Sequence, residues 1–329
     1  MLNVYIKPTE QCNLRCNHCY NGEPCADRLD IKSTAKFLAA LFKKNDDGEN
    51  WLILHGGEPL TASPEQMEQM MAIDIPNVRK RITTNLAMPL GKTAKSLLLT
   101  MDDIRTSFDI GLGRFTMLRH FYWWVHNIRW CRANNLPLST LNICLSSDMI
   151  KIKPERVLRM AEHLGFSKLS FENLCYSGRL NESNKELVPS PAEVDEWFFE
   201  LYHVAPYYKV KVVNFTSLAA GICGDWKNHR GLSCCKRTLT INANGTVGEC
   251  PNSARTNVIG DITMNAEDVL GNHVCTLHKS EHFQTCLACS YFKHCRGGCK
   301  EQTWIDGVCS YPKKTADAIR RDIFSHENV

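Results

Sequence analysis

"EQCNLRCNHCYNGEPC", residues 10–25, places four cysteines close to the start of the chain. Three of them, Cys12, Cys16 and Cys19, have the spacing C-x3-C-x2-C, and Cys25 lies just beyond. Disulfides, a zinc site or an iron–sulfur cluster could use such a stretch. Closed structural zinc sites take four ligands, whereas three thiolates from one short loop suit a cubane whose fourth iron is open to another ligand. The spacing therefore favours a cluster, and Cys25 stays open as a fourth ligand.

Composition separates the disulfide hypothesis from the metal hypotheses. The chain of 329 residues is 43% hydrophobic and 22% charged, which is typical of a globular protein with one large and one smaller domain. Its start has no apolar signal segment, and no apolar stretch approaches the length of a membrane span. We therefore expect a cytoplasmic protein, in which the 17 cysteines stay reduced and serve mainly as metal ligands. The net charge of +4 does not indicate a protein that holds nucleic acid by its phosphates.

Strand and helix patterns alternate along the first two thirds of the chain. Strands are predicted over 3–8, 50–57, 80–85, 103–109, 139–146 and 168–174. Helices are predicted over 33–45, 63–73, 91–99, 116–135, 153–165 and 190–205. The fourth helix contains the aromatic run "FYWWVHNIRW" (121–130), which is predicted to pack on the sheet. Six such units predict an α/β fold with a parallel sheet and right-handed crossovers, with too few strands to close an eight-stranded barrel.

The unusual motifs follow the first four predicted strands. The cysteine loop comes after the first strand, "HGGEP" (55–59) after the second, "TTN" (83–85) after the third and "SFD" (107–109) after the fourth. In parallel α/β folds the reactive groups gather at the carboxyl ends of the strands. The sequence therefore predicts one functional site at that end of the sheet.

The stretch "CNLRCNHCYN" (12–21) resembles the cluster loop of the radical S-adenosylmethionine (SAM) enzymes. The resemblance implies a partial (β/α)6 barrel in which Cys12, Cys16 and Cys19 hold a 4Fe–4S cluster. In that family the amino and carboxylate groups of SAM occupy the open iron. Reductive cleavage of SAM then gives methionine and a 5′-deoxyadenosyl radical, which abstracts hydrogen from a substrate. His18 matches a position that often lies against the adenine.

"HGGEP" matches the glycine–glycine–glutamate motif of the same family. Gly56 and Gly57 would let the backbone approach a ligand, and Glu58 would accept hydrogen bonds from the SAM ammonium. The resemblance implies further SAM contacts near the strand ends, including an arginine that binds the SAM carboxylate. The candidates are Thr84, Asn85, Ser107, Asp109, Ser146 and Arg114, with Arg119 as the rival arginine.

Ten of the cysteines lie between residues 223 and 309, and their spacing resembles the SPASM extension of radical SAM enzymes. That extension carries two auxiliary 4Fe–4S clusters and a hairpin, which "TLTINANGTV" (238–247) predicts through its Asn-Gly turn. The implied ligands of one cluster are Cys286, Cys289, Cys295 and Cys309. Those of the other are Cys235, Cys250 and Cys299, completed by Cys234 or Cys223 or left with an open iron.

The change in cysteine density predicts a radical SAM core over 1–215 and a SPASM domain with a C-terminal helix over 216–329. The resemblance implies a radical SAM oxidoreductase or maturase whose substrate is a peptide or protein side chain, which it oxidises, cross-links or epimerises. A flavodoxin- or ferredoxin-like protein would supply the electron. Because the first strand begins at residue 3, we expect a separate leader-recognition protein, or direct docking, to bring the peptide. No nucleic-acid or membrane partner is expected.

Two other functions stay open. A dehydrogenase or epimerase of sugars or antibiotics would use the same clusters. A zinc-ribbon module that binds nucleic acid would explain the C-terminal cysteines but would leave Cys12, Cys16, Cys19 and Glu58 without a role. Cys175, at the end of the sixth predicted strand, is a candidate catalytic hydrogen donor, although a small thiol is often simply buried.

Overall fold

The computed structural model of the protein describes residues 1–23, 26–45, 48–225, 237–273 and 282–325. The predicted metal ligands Cys234 and Cys235, and the possible fourth ligand Cys25, lie outside these ranges. All other residues predicted for the site are described.

The first two thirds of the chain fold into alternating strands and helices. The strands are β1 (Asn3–Ile6), β2 (Asn50–Leu54), β3 (Val78–Thr83), β4 (Asp103–Ser107), β5 (Leu138–Leu145), β6 (Lys168–Asn173) and β7 (Lys211–Val212). The helices are α1 (Ile31–Lys43), α2 (Pro64–Met71), α3 (Lys92–Leu99), α4 (Leu118–Ala133), α5 (Pro154–His163), α6 (Pro191–Val204) and α7 (Val213–Ile222).

The C-terminal part adds short elements and one long helix. They are β8 (Thr238–Ile241), β9 (Thr246–Gly248), β10 (Val258–Asp261), α8 (Ala266–Asn272), α9 (Phe283–Leu287), α10 (Phe292–Cys295), β11 (Trp304–Ile305), β12 (Val308–Cys309) and α11 (Lys313–Ser325).

One sheet contains most of these strands, in the order β10-β9-β8-β1-β2-β3-β4-β5-β6-β7. Strands β1 to β7 pair in parallel with their neighbours, so the predicted α/β fold with six successive βα units is confirmed. The predicted strands 3–8 and 50–57 were too long at their carboxyl ends, because residues 7–8 and 55–57 already belong to the loops of the site.

Side chains alternate between the two faces of the sheet. Val4 and Ile6 of β1, and Leu52 and Leu54 of β2, belong to the main hydrophobic core with the helices. Tyr5 and other residues between them in sequence line a cavity on the opposite face. The sheet therefore has one apolar face under the helices and one inner face that is largely polar.

Local capping explains where two of the helices begin. The Ser63 side chain accepts a hydrogen bond from the Gln66 backbone N–H, and the Gln66 side chain returns to the Ser63 backbone. Ser190 and Glu193 form the same arrangement at the start of α6, and a proline occupies the first turn of both helices.

The C-terminal part continues this sheet through β8, β9 and β10, whereas β11 and β12 form a separate two-stranded sheet. β8 pairs in parallel with β1, and β8 and β9 form the predicted antiparallel hairpin, in which Gly245 has φ of +85°. The C-terminal helix α11 packs on α6 and α7 through Ala316 and Ile319. The division between 215 and 216 stays a prediction. Among the described residues, no helix combines the length and the apolar character needed to cross a membrane.

Candidate active site and cysteine-lined cavities

The three cysteines of the N-terminal loop face one cavity of about 350 Å³ at the carboxyl ends of the parallel strands. Cys12, Cys16 and Cys19 all line it, as the motif spacing predicts. Leu14 and Ala87 are buried beside Cys16, and Phe115 packs against them, so one side of the loop is apolar. The loop thus holds three thiols at a common, partly water-shielded surface.

The surroundings of the thiols fit a 4Fe–4S cluster. The Leu14 backbone N–H donates to Cys12 Sγ at 3.4 Å, and Asn85 Nδ2 approaches the same sulfur at 3.8 Å. Hydrogen bonds to ligand sulfurs of this kind tune iron–sulfur clusters. Burial raises the pKa of Cys12 to about 12 and also raises that of Cys16, so a bound metal must displace their protons.

Gly56 and Gly57 lie directly against the backbone that enters the cysteine loop. The Gly57 N–H donates to the Thr9 carbonyl at 3.1 Å, and the Glu58 N–H donates to the Gln11 carbonyl at 2.8 Å. A Cβ atom on Gly57 would lie 2.2 Å from the Gln11 oxygen, and one on Gly56 would lie 2.6 Å from the Thr9 oxygen. Both glycines line the cavity, as expected, but their tightest contacts are with the protein's own backbone.

Gly57→Ala should therefore destabilise the protein by about 3 kcal/mol, because a methyl group would push the cysteine loop away from β2. Chemical denaturation of the wild type and the variant measures this difference. Gly271→Ala is the matched control, because a Cβ there meets no atom within 4 Å. Equal stability of the Gly57 variant and this control would refute the role assigned to the close approach.

Glu58 is buried at the cavity wall, where three donors fix its carboxylate. Leu60 N and Thr84 Oγ1 donate to Oε1 at 3.0 and 2.7 Å, and Asn85 N donates to Oε2 at 2.7 Å. Burial raises the pKa of Glu58, and these hydrogen bonds oppose that rise. Glu58, Thr84 and Asn85, which were predicted from two separate motifs, are thus brought together. All three line the same cavity as the cysteines.

Asp109, Arg114 and His18 form a second polar group. Arg114 Nε donates to Asp109 Oδ2 at 2.5 Å, and His18 Nε2 lies 3.5 Å from the same oxygen. Burial favours the neutral form of Asp109, but Arg114, His18 and the hydrogen bond from the Cys144 N–H together outweigh it and lower the pKa of the carboxyl. Burial lowers the pKa of His18 to about 4, which keeps the imidazole neutral. Arg114 and His18 line the cavity, whereas Asp109 stands behind them and fixes the arginine.

The remaining predicted SAM contacts differ in position. Ser107 lines the cavity. Ser146 does not, because its hydroxyl donates to the Ile110 carbonyl at 2.6 Å and accepts from the Met149 N–H at 3.0 Å. Arg119, the rival of Arg114, is exposed on α4 and also lies outside the cavity lining.

Several polar residues of the inner wall were not predicted. Tyr5, Arg81, Arg105 and Asn142 line the cavity from the middle of β1, β3, β4 and β5. The Nε atoms of Arg81 and Arg105 donate to Asp103 Oδ2 at 2.7 and 2.9 Å. A signal was present in the alternation Arg81-x-Thr83, Arg105-x-Ser107 and Asn142-x-Cys144, which places a polar side chain on the same face of three successive strands.

A second cavity, of about 470 Å³, adjoins the first. Tyr5, Glu172, Cys175 and Asn252 line both, so these residues lie at the boundary between the two cavities. Two predicted ligands of an auxiliary cluster, Cys250 and Cys299, line the second cavity.

Cys175 lies at this boundary with its thiol 3.7 Å from Asn252 Nδ2. Burial raises the pKa of Cys175 to about 12, so the sulfur carries its proton. Its predicted role as a hydrogen donor needs a protonated thiol and access to the cavity, and this position provides both. The role itself stays a prediction.

A third cavity, of about 90 Å³, is lined by four thiols. They are the four predicted ligands of one auxiliary cluster, Cys286, Cys289, Cys295 and Cys309. Burial raises the pKa of Cys295 to about 11. Four soft ligands around one small cavity suit a closed tetrahedral or cubane metal site. Cys223, by contrast, is exposed on the C-terminal side of α7 and lines none of the three cavities.

Part of the chain matches the model of a known family, and the fold is similar to that of several solved structures. Residues 6–149 match the model of the Radical SAM superfamily. The fold is similar to that of anSMEcpe with bound AdoMet, with a TM-score of 0.77 and 16% identity over 100% of this chain and 98% of that chain. It is also similar to Streptococcus suis SuiB bound to precursor peptide SuiA, with a TM-score of 0.65 and 14% identity over 91% of this chain and 71% of that chain.

A curated relative is more similar in sequence but over a shorter stretch. An uncharacterized protein of Archaeoglobus fulgidus is 29% identical over 106 residues, which are 32% of this chain and 25% of that protein. The alignment thus spans a quarter of that relative's length.

Proposed function

We propose that this chain, which through residues 6–149 is a member of the radical SAM superfamily, cleaves SAM reductively and removes hydrogen from a side chain of a ribosomally made peptide or protein. One observation carries the proposal. The three cysteines, Glu58 and Arg114 line one cavity, and that cavity borders a second one with which it shares Cys175. Cofactor residues and space for a substrate are therefore adjacent.

The superfamily uses a 4Fe–4S cluster and SAM, and Cys12, Cys16 and Cys19 are the residues that would hold the cluster. When bound there, such a cluster would supply the electron for reductive cleavage of SAM. The protein contributes binding, orientation and exclusion of water.

Two polar groups of the cavity suit the amino acid end of SAM. Glu58 is held by three hydrogen bonds, so its negative charge has a fixed position for an ammonium group. Arg114 is held by Asp109, and a guanidinium fixed in this way suits a carboxylate. Groups that are already ordered lose little entropy when a ligand binds.

The inner wall suits a polar substrate. Tyr5, Arg81, Arg105, Asn142 and Glu172 line the cavity behind the cysteines with donors and acceptors of both charges. Side chains and backbone of a peptide offer matching groups. The anSMEcpe fold has been solved with a bound Cp18Cys peptide, and the SuiB fold with precursor peptide SuiA, which supports a peptide as substrate here.

The auxiliary cysteines complete the proposal. Cys286, Cys289, Cys295 and Cys309 would hold one 4Fe–4S cluster, and Cys250 and Cys299 would contribute to another with Cys235. Such clusters would supply electron transfer to or from the substrate site. Loss of a hydrogen atom followed by loss of one electron and a proton is a two-electron oxidation, which would allow oxidation or cross-linking of a peptide.

Coexpression with candidate precursor peptides, followed by mass spectrometry, tests the substrate class. A peptide that loses two hydrogens only in the presence of the protein supports oxidation or cross-linking, and a changed chromatographic retention at constant mass supports epimerisation. If every peptide stays unchanged while sugars or antibiotics are oxidised by the purified protein, the small-molecule alternative is correct.

A further inference from the structure

The solvent-facing side of α4 is unusually apolar. Leu118, Phe121 and Tyr122 follow the helical spacing of one face and are 84%, 40% and 59% exposed, and Met117 just before the helix is 49% exposed. The opposite face carries the buried Trp124 and packs on the sheet. Contiguous exposed apolar residues of this kind mark interaction sites. We call these four apolar residues, together with the exposed Arg119 and Arg129, the α4 patch.

The exposed charge along the α4 segment has a single sign. From residue 110 to residue 147 the sequence contains no aspartate or glutamate, whereas Arg119 and Arg129 are exposed there. On the neighbouring helix α3, Lys95 Nζ lies 5.4 Å from the centre of the Trp130 ring. An apolar stripe with cationic edges is complementary to an acidic protein that has an apolar centre.

The α4 patch adjoins the cysteine loop. The Phe121 and Phe115 rings meet edge to face with centroids 5.8 Å apart, and Phe115 packs against the group of Leu14 and Cys16. The Asn17 N–H also donates to the Leu112 carbonyl at 2.9 Å, which joins the cysteine loop to the segment before α4. A protein on this patch would therefore lie next to the predicted cluster.

We infer that the α4 patch is the docking surface for an acidic one-electron donor protein of the flavodoxin or ferredoxin kind. The inference rests on the proposed function, in which each SAM cleavage consumes one electron from outside. A second copy of this chain is a poor occupant, because it would bring Arg119 and Arg129 close to their own copies.

The test uses the anaerobically reconstituted holoenzyme and a purified acidic flavodoxin as the probe. The variant L118S/Y122S/R129E weakens both the apolar and the cationic part of the patch. The control L99S/Y207S/R159E makes the same three replacements elsewhere, on α3, on the segment after α6 and on α5, at positions that are also exposed. Two readouts are compared: flavodoxin binding by calorimetry, and 5′-deoxyadenosine formation driven by reduced flavodoxin or by titanium(III) citrate.

Docking at the α4 patch predicts that the variant loses about tenfold in flavodoxin affinity and in the flavodoxin-driven rate, with a weaker dependence on salt. The titanium-driven rate of the variant should equal that of the wild type. The control should equal the wild type in flavodoxin affinity and in both rates.

Unchanged flavodoxin binding in the variant would overturn the inference, as would a loss of equal size in the control. So would a variant that keeps flavodoxin binding but loses binding of a single-stranded oligonucleotide or of anionic vesicles. If titanium(III) citrate drives no SAM cleavage in the wild type, the proposed function fails, and the binding arm still decides on the docking surface.

Discussion

Cys16→Ala is expected to abolish SAM cleavage, with a loss of about three orders of magnitude or more. Cys16 is 8% exposed and packs beside Leu14 and Ala87, where water is excluded. Among the three thiols of the loop it is the one that the structure buries, and no other described thiol of the loop can replace it. Without Cys16, the loop offers two thiolates to a cluster that needs three from it.

The measurement combines iron analysis with 5′-deoxyadenosine formation after anaerobic reconstitution. Cys131→Ala is the matched control, because Cys131 is a fully buried thiol in α4 outside the three cavities. It should lose some stability, on the order of 1–2 kcal/mol, while its iron content and SAM cleavage stay those of the wild type. SAM cleavage by the Cys16 variant at the wild-type rate would remove this thiol from the site.

Cys295→Ala is expected to abolish product formation while SAM cleavage continues. The variant should bind about four fewer iron atoms per chain and form no modified product. It should still cleave SAM, because Cys295 lines the small four-thiol cavity and lies outside the lining of the cavity that contains Cys12, Cys16 and Cys19. Substrate-independent cleavage and product formation are thus predicted to separate.

Electron paramagnetic resonance of the reduced protein checks the loss of one signal independently of activity. Cys223→Ala serves as the control, since its thiol is exposed and lies outside the three cavities. Full product formation by the Cys295 variant would mean that this auxiliary site has no part in turnover. Loss of iron in the Cys223 control would instead assign that residue as a ligand.

Local sequence patterns were sufficient for the framework of the fold and for much of the site. Hydrophobic periodicity placed the six βα units. Parallel strands bring their carboxyl ends to one edge, so Cys12, Glu58 and Thr84 could be expected to meet. The four C-terminal cysteines around one cavity were expected from the resemblance to the SPASM extension.

Features that depend on long-range packing were not accessible. Gly57 was predicted to admit a ligand, but its closest neighbour is the Gln11 carbonyl, a contact between two loops that are far apart in sequence. Arg81 and Arg105 lie inside strands. The structure shows that both pair with Asp103, and this contact could not be predicted from the sequence. The aromatic run of α4 was predicted to pack on the sheet, which holds for Trp124 but not for Tyr122. Periodicity gives the spacing of a helix face and not what covers it.

The central claim is that the cysteine loop holds a cluster with one iron open to SAM. Its most direct test is anaerobic reconstitution with iron and sulfide, followed by addition of SAM and titanium(III) citrate. A cluster with one open iron predicts brown protein and equal amounts of methionine and 5′-deoxyadenosine. Colourless protein that retains zinc and yields no 5′-deoxyadenosine would contradict it.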